Sequence, residues 1–434
     1  MFLFSRRSGG TMRTKGILLG LALSAGVARA QNHDYDREMR ELAARPEIQK
    51  AFQIIVELEP QTEKDLIELT QIPAPPFKEE KRAARYAEML REAGMKDVEI
   101  DAVGNVITRF KGEVGSETVA VVAHLDTVFP EGTDTTVKRE GNRLLAPGIG
   151  DDTRGLALML TMVRAMVRSG IETRGDVLFV ASVGEEGLGD LRGVKHLFRE
   201  GGPKIDQFIA VDGGSTDRVL NKAIGSYRYK ITFKGPGGHS WGAFGLGNTA
   251  HALARFIYHF DEEAGEFVIT GPRTSYNIGR IGGGTSVNAI PFENWAEVDM
   301  RSEDPTQLNK IDEIMKRAVE RALEEQNARK RRGEPLEVEV EMLGNRPSGT
   351  VEPSTPLIQR ALAATRHFGV EPQLETGSTD ANVPISLGVP ATTIGRGGEG
   401  EGAHALHEWW ANVDGHLGIQ KALLLAVASA GIGE

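Results

Sequence analysis

The chain has 434 residues, 40% of them hydrophobic and 26% charged, with a formal net charge of −10 and no cysteine. That is enough apolar material for two or three domains. The missing thiols exclude disulfides, thiolate metal sites and a cysteine nucleophile, and the acidic balance argues against nucleic acid as a partner.

In chain order, residues 1–30 read as a signal peptide. Basic residues Arg6, Arg7, Arg13 and Lys15 flank the apolar run GILLGLALSAGVA, and the small-residue site Ala28-Arg29-Ala30 follows. Met12 is an alternative start, since MRTKGILLGLALSAGVARA is a complete signal by itself. The apolar run is shorter than the ~20 residues a bilayer requires. The expectation is therefore a cleaved leader, no stable membrane anchor, and a periplasmic or secreted location. Cleavage would remove five basic and no acidic residues, taking the formal charge from −10 to −15.

A polar helical segment is predicted from about Asp36 to Leu69, ended by the prolines of IPAPP. KEEKRAARYAEMLREAG repeats apolar positions at helical spacing and stops at Gly94, a suitable C-cap. Strand signals follow at VEIDAVGNVITRF and TVAVVAHLD, and residues 154–168 form a helix apolar on most faces. TVAVVAHLD, DVLFVASVGEE and QFIAVDGG are continuous apolar, β-branched-rich runs, the pattern of parallel strands buried on both faces. Strand and helix alternate to about residue 220, an α/β rhythm.

From about 222 to 347 the rhythm becomes βαββαβ, through SYRYKITFKG, TAHALARFIYHF, SYNIGRIGG, WAEVDMRSE, PTQLNKIDEIMKRAVERALEEQ and LEVEVEML. The basic run Arg329-Lys330-Arg331-Arg332 closes the second of these helices, where cations favour the dipole, and is no nucleic-acid patch. The first pattern then resumes with a helix at TPLIQRALAATRHFG, a strand at PATTIG and a final helix near VDGHLGIQKALLLAVASAG. The predicted fold is α/β, a mixed, mostly parallel sheet flanked by helices. Its catalytic domain is split into 31–221 and 348–434 around an inserted two-layer domain at 222–347.

Five carboxylate and imidazole clusters fall where apolar runs stop: His124 with Asp126, Asp151 with Asp152, Glu185 with Glu186, Asp212, and His404 with His407. Side chains just past the carboxyl ends of parallel strands share one edge. Hard oxygen ligands mixed with imidazole, with no thiolate available, suit a co-catalytic zinc site. Each cluster alone has an ordinary explanation: a buried pair, an N-cap, solvated loop charges or a turn residue. Together they point to a metallohydrolase. GHSWG around Ser240 fits the G-x-S-x-G string, but a nucleophile elbow turns directly from strand into helix, whereas here glycine-rich loop continues.

AHLDTV, GIGDDTRG, VGEEGLGD, AVDGG, GPGGHSWG, TSVNAIP and GAHALHE, in this order, resemble the co-catalytic two-zinc exopeptidases that include peptidase T, glutamate carboxypeptidase, carnosine dipeptidases and acylamino-acid deacylases. The resemblance spans about residues 60 to 425. It implies two divalent metal ions, Zn2+ first and Co2+ or Mn2+ as alternatives. His124 and Asp212 would bind one, Glu186 and His404 the other, and Asp151 would bridge them. Asp126 would accept the free imidazole N–H of His124, and Glu185 would be the general base toward a metal-bridging hydroxide. Asp152 would cap the following helix or support the ligands, and His407 would be substrate-side or structural.

The resemblance further implies that His239 reaches across a homodimer, formed through the inserted domain, to stabilise an oxyanion. Asn288 would contact substrate, and Arg301 would either clamp a substrate carboxylate or brace the small sheet. Aspartate rather than glutamate at 212 tilts the expectation toward an exported exopeptidase of aminopeptidase, tripeptidase or dipeptidase type, acting on short peptides. The near alternative is an N-acyl amino-acid deacylase or carboxypeptidase. The remote one, an inactive peptide-binding relative, has no need of Glu185 beside five ligand positions.

Overall fold

The computed structural model describes residues 33–115 and 117–433, so the predicted signal peptide lies outside the described residues. Among them, no helix is long and apolar enough to cross a membrane.

Four strands, Asp176–Ser182, Thr118–His124, Gln207–Val211 and Ala391–Ile394, lie side by side and parallel at the centre of a nine-stranded sheet. They are the apolar runs, and the pleat explains why each is apolar throughout. Val119, Val121, Val177, Phe179 and Ile209 pack into the core on one face, while Ala120, Val122, Leu178, Val180 and Phe208 pack into the core on the other. The first face is covered by helices including Pro46–Glu57, Glu80–Glu92, Gly155–Ser169, Pro356–His367 and Gly415–Ala430, and the second by the short helices Arg192–Leu197 and Asn382–Ser386. Antiparallel strands Val98–Ile100 and Val106–Phe110 finish one margin, and Arg218–Ala223 with Gly349–Thr350 the other. The sheet is mixed, as expected.

The segment from Asp36 to Leu69 is three helices, Tyr35–Ala43, Pro46–Glu57 and Glu59–Thr70. Pro46 and Pro60 each open a helix, where the absent N–H costs nothing. Nor is the segment purely polar, since Met39, Ile48, Ile55, Leu66 and Leu69 are fully buried.

Residues 225–346 form a separate four-stranded antiparallel sheet of Thr274–Gly283, Glu293–Ser302, Gly225–Lys234 and Glu337–Arg346. Helices Thr249–Phe267 and Pro305–Arg329 cover one face, around a core of Ile231, Phe233, Phe256, Phe260, Met300 and Met315. Asn248 and Asp304 cap these helices by accepting from the first free backbone N–H groups. A further small sheet joins Glu399–Glu401, Trp409–Ala411, Arg143–Leu145 and Lys138–Glu140. It ties the loop carrying His404 to the loop carrying Asp151.

Candidate active site

The carboxyl ends of the central parallel strands deliver His124 itself, Glu185 and Glu186 three and four residues past Ser182, and Asp212 directly after Val211. These side chains line or adjoin a cavity of about 550 Å³, to which the Asp151 and His404 loops also contribute. Two sets of ligand-type atoms lie within 4.8 Å of one another: His124, Asp151 and Asp212 in one, and Asp151, Glu186 and His404 in the other. Asp151 belongs to both. Its Oδ1 lies 3.1 Å from His124 Nε2 and its Oδ2 3.3 Å from His404 Nε2, while His404 Nε2 is 2.9 Å from Glu186 Oε1.

Glu185 also comes within this range of His124 and Glu186, but its surroundings differ. Arg346, the last residue of the insert's Glu337–Arg346 strand, places Nη1 3.0 Å from Glu185 Oε1, and its Nη2 donates to the Glu185 carbonyl. Both side chains are buried. A carboxylate already matched to a guanidinium gains less from a cation than its unpaired neighbours do, which separates Glu185 from the ligand sets.

Electrostatics explain what such a cluster needs. Burial pushes the carboxyl groups of Glu186 and Asp212 above the ordinary range, and that of Glu185 well above it, with Arg346 opposing the shift. Burial also resists ionisation of Asp151, yet hydrogen bonds to His124 and His404 outweigh it and hold that carboxyl well below the usual range. The Asp151 hydrogen bond, with help from Glu186, pushes the His404 imidazole up to about 10. Asp152, fully buried, accepts the His124 backbone N–H through Oδ2 at 3.2 Å, and its Oδ1 has no hydrogen-bond partner among the described residues. Carboxylates crowded at this density require positive charge. The oxygen and imidazole donor set and the shared Asp151 fit two divalent cations.

The Asp126 carboxylate makes its shortest contacts with groups other than the His124 imidazole. The His124 Nδ1 faces the backbone carbonyl of Asp126 at 3.0 Å, and the Asp126 carboxylate is 3.8 Å away. That carboxylate is occupied elsewhere: Oδ1 accepts the Glu185 N–H at 3.0 Å and Oδ2 the Glu186 N–H at 2.8 Å. Asp126 therefore orients the two glutamates.

His239 and Asn288 are not brought to this cavity within one chain. They sit on an exposed tip of the insert, where Gly238–His239 pairs with Ala289–Ile290 and the His239 Nδ1 accepts the Trp241 and Gly242 N–H groups. Arg301 does line the cavity, with Nε donating to Asp299 at 2.7 Å. His407 is exposed and does not line it.

Glu408, Arg346 and Arg396 are buried charged residues at the site to which the sequence alone assigned no role. Glu408 is buried and accepts the Gly148, Gly150 and Asp151 N–H groups at 2.6, 2.9 and 2.8 Å, fixing the loop that presents Asp151. Arg396 follows the Ala391–Ile394 strand by two residues. A charged residue just after an apolar run was the available signal, and it went unused because arginine is not a metal ligand.

Comparison with known proteins agrees with this geometry. The model of peptidase family M20/M25/M40 matches residues 120–428. The chain belongs to this family. Among curated relatives, it is 26% identical over 324 residues to the uncharacterised protein YqjE of Bacillus subtilis, covering 71% of this chain and 81% of that protein. It is 25% identical over 301 residues to carboxypeptidase G2 of a Pseudomonas species, covering 66% of this chain and 67% of that one. Among solved structures, a tripeptidase from Staphylococcus aureus superposes with a TM-score of 0.69 at 22% identity, covering 86% of this chain and 98% of the tripeptidase. As an M20/M25/M40 peptidase with a carboxylate and imidazole cluster at the head of its sheet, the chain is a metal-dependent hydrolase of peptide bonds.

Proposed function

We propose that the protein is an exported exopeptidase that removes residues from short peptides bearing a free α-amino group, with two divalent ions, zinc first, held by the two residue sets that share Asp151. The observation that carries this reading is that shared carboxylate, flanked by one imidazole on each side. His124 and Asp212 would hold one ion and Glu186 and His404 the other. When bound, the ions would polarise the scissile carbonyl and acidify a water. Glu185 would take the proton from that water and pass it to the leaving amine, and burial, which pushes its carboxyl well above the usual range, favours its holding the proton between the two steps. Arg346 would keep Glu185 ionised enough to begin, and Asp126 would hold it in place through its backbone N–H. Arg301, anchored by Asp299 at the cavity wall, would take a peptide carboxylate.

Pairing of two copies through the inserted sheet would carry His239 and Asn288 of one copy to the cavity of the other. Their exposed tip, with Trp241 88% exposed beside His239, supports that arrangement. A carboxypeptidase or deacylase reading is favoured by the likeness to carboxypeptidase G2. The test is hydrolysis of a matched panel: a dipeptide, a tripeptide, their N-acetyl forms and an N-acyl amino acid, with metal-loaded and chelated protein. Metal-dependent cleavage confined to free-amine peptides is expected. Preference for the acylated compounds would transfer the assignment to the second reading.

A further inference from the structure

Arg396 stands out among the cationic groups at the cavity. It is 7% exposed, yet its guanidinium makes no hydrogen bond and no ion pair within 4.0 Å among the described residues, and Nη1 is a fully buried donor without an acceptor. Its neighbours differ: Arg346 is matched by Glu185, Arg228 by Asp299 and the Gly187 carbonyl, and Arg218 by Glu375 and the Asp212 carbonyl. The Asp151, Asp152, Asp212 and Glu408 carboxylates lie near enough to feel its charge, but among the described residues none accepts a hydrogen bond from it, and a buried donor left without an acceptor is costly. The fold nevertheless makes room for it. A Cβ at Gly150 would lie 2.7 Å from Arg396 Nη2, and one at Gly213 would lie 3.8 Å from Nη1.

The side chain lines the main cavity and a second one of about 350 Å³ that adjoins it. Gly214 and Gly400 line both, and so does Glu401, an exposed carboxylate at the rim. This end of the cleft is built by the loops that follow the Gln207–Val211 and Ala391–Ile394 strands of the main sheet and by the small sheet carrying Glu401, whereas Arg228, Arg301 and Arg346 come from the inserted sheet. The cleft therefore offers cations from two separate elements.

We infer that Arg396 and Glu401 form a subsite for an acidic residue at the amino end of the peptide, with the side-chain carboxylate accepting from the Arg396 guanidinium and the α-amine on Glu401. This rests on the exopeptidase reading above and names its substrate class. A carboxylate supplies the acceptors that Arg396 lacks, and planar guanidinium to carboxylate contact is the strongest match available to it. Glu401 stays in solvent, so it steers the amine without repelling the buried end.

The test compares kcat/KM for Asp-Ala and Glu-Ala with Asn-Ala, Gln-Ala and Lys-Ala, using the full metal-loaded protein. The acidic peptides should exceed their amides by at least about tenfold, because the amide offers the buried donor a neutral acceptor in place of a charged one. Arg396→Gln should bring the acid-to-amide ratio close to one, and Arg396→Lys should keep part of it. Equal rates for acid and amide in the wild-type protein, or an unchanged ratio in Arg396→Gln, would overturn the proposal. Calorimetric titration of L-aspartate and L-glutamate against L-alanine reads the subsite without turnover. If no peptide is cleaved but the acidic amino acids bind at least tenfold more tightly and Arg396→Gln abolishes the difference, the exopeptidase reading fails and the subsite stands. Equal binding of all three would sink the subsite itself.

Discussion

Asp126→Asn probes how the glutamates are held. In the native protein the Asp126 oxygens accept the Glu185 and Glu186 N–H groups at 3.0 and 2.8 Å, and the carboxylate is fully buried. The amide of asparagine has one acceptor oxygen and turns an NH2 toward the other backbone N–H. One charge-assisted bond, worth about 1.5–3 kcal/mol, is lost and a buried donor is orphaned. A net cost of about 3 kcal/mol corresponds to a factor on the order of 100 in the population of correctly placed glutamates. Turnover on a free-amine dipeptide should fall by about that factor, with a lower melting temperature. The ion on the Glu186 side should bind more weakly than the ion on the His124 side, as read by competitive chelator titration. Weakening confined to the His124 side would mean that Asp126 acts through the imidazole after all, and near-native turnover would refute the role entirely.

Arg346→Met removes the opposite charge 3.0 Å from Glu185, and a partner that close typically lowers a carboxyl pKa by about 1–3 units. Its loss adds to the upward push of burial, so the acid limb of the kcat/KM profile should move to higher pH by at least about one unit, and less in Arg346→Lys. A fall in rate with an unmoved limb would make Arg346 a substrate contact only. Lys421 is fully buried on the Gly415–Ala430 helix and donates to the Thr216 and Arg218 carbonyls at 2.6 and 2.9 Å, bracing the chain that follows Asp212. Burial pulls its amine down to about 7 from the usual 10.5, so the unfolded chain binds the extra proton across that window and folding stability gains as pH rises through it. Lys421→Met should lose that gain when denaturant midpoints at about pH 6 and about pH 9.5 are compared. Equal gains in both proteins would contradict the shift.

Much of the site was legible because the central strands are apolar at every position and stop abruptly at charge. His124, Glu185, Glu186 and Asp212 each follow such a run, and parallel strands place their carboxyl ends together. The polar strand Arg218–Ala223 offered no such contrast, although it joins the same sheet. The Trp409–Ala411 and Lys138–Glu140 strands are three residues long, too short to show alternation. Arg346 and Arg396 were illegible for another reason. Each is a single arginine, contributed from far along the chain, whose meaning lies in the carboxylates the fold sets around it. Asp126 was visible as a carboxylate two residues from a histidine, but only the fold shows that the backbone N–H groups of the next strand's loop reach it first.

The most direct test of the central claim is to measure metal content and turnover together in Glu185→Gln. With Glu185 as the proton carrier and the ions held by the other five residues, the variant should retain two divalent ions per chain while its turnover drops by about 10²–10⁴-fold. A variant that keeps its rate within tenfold of the wild-type protein, or that loses an ion, would contradict the account.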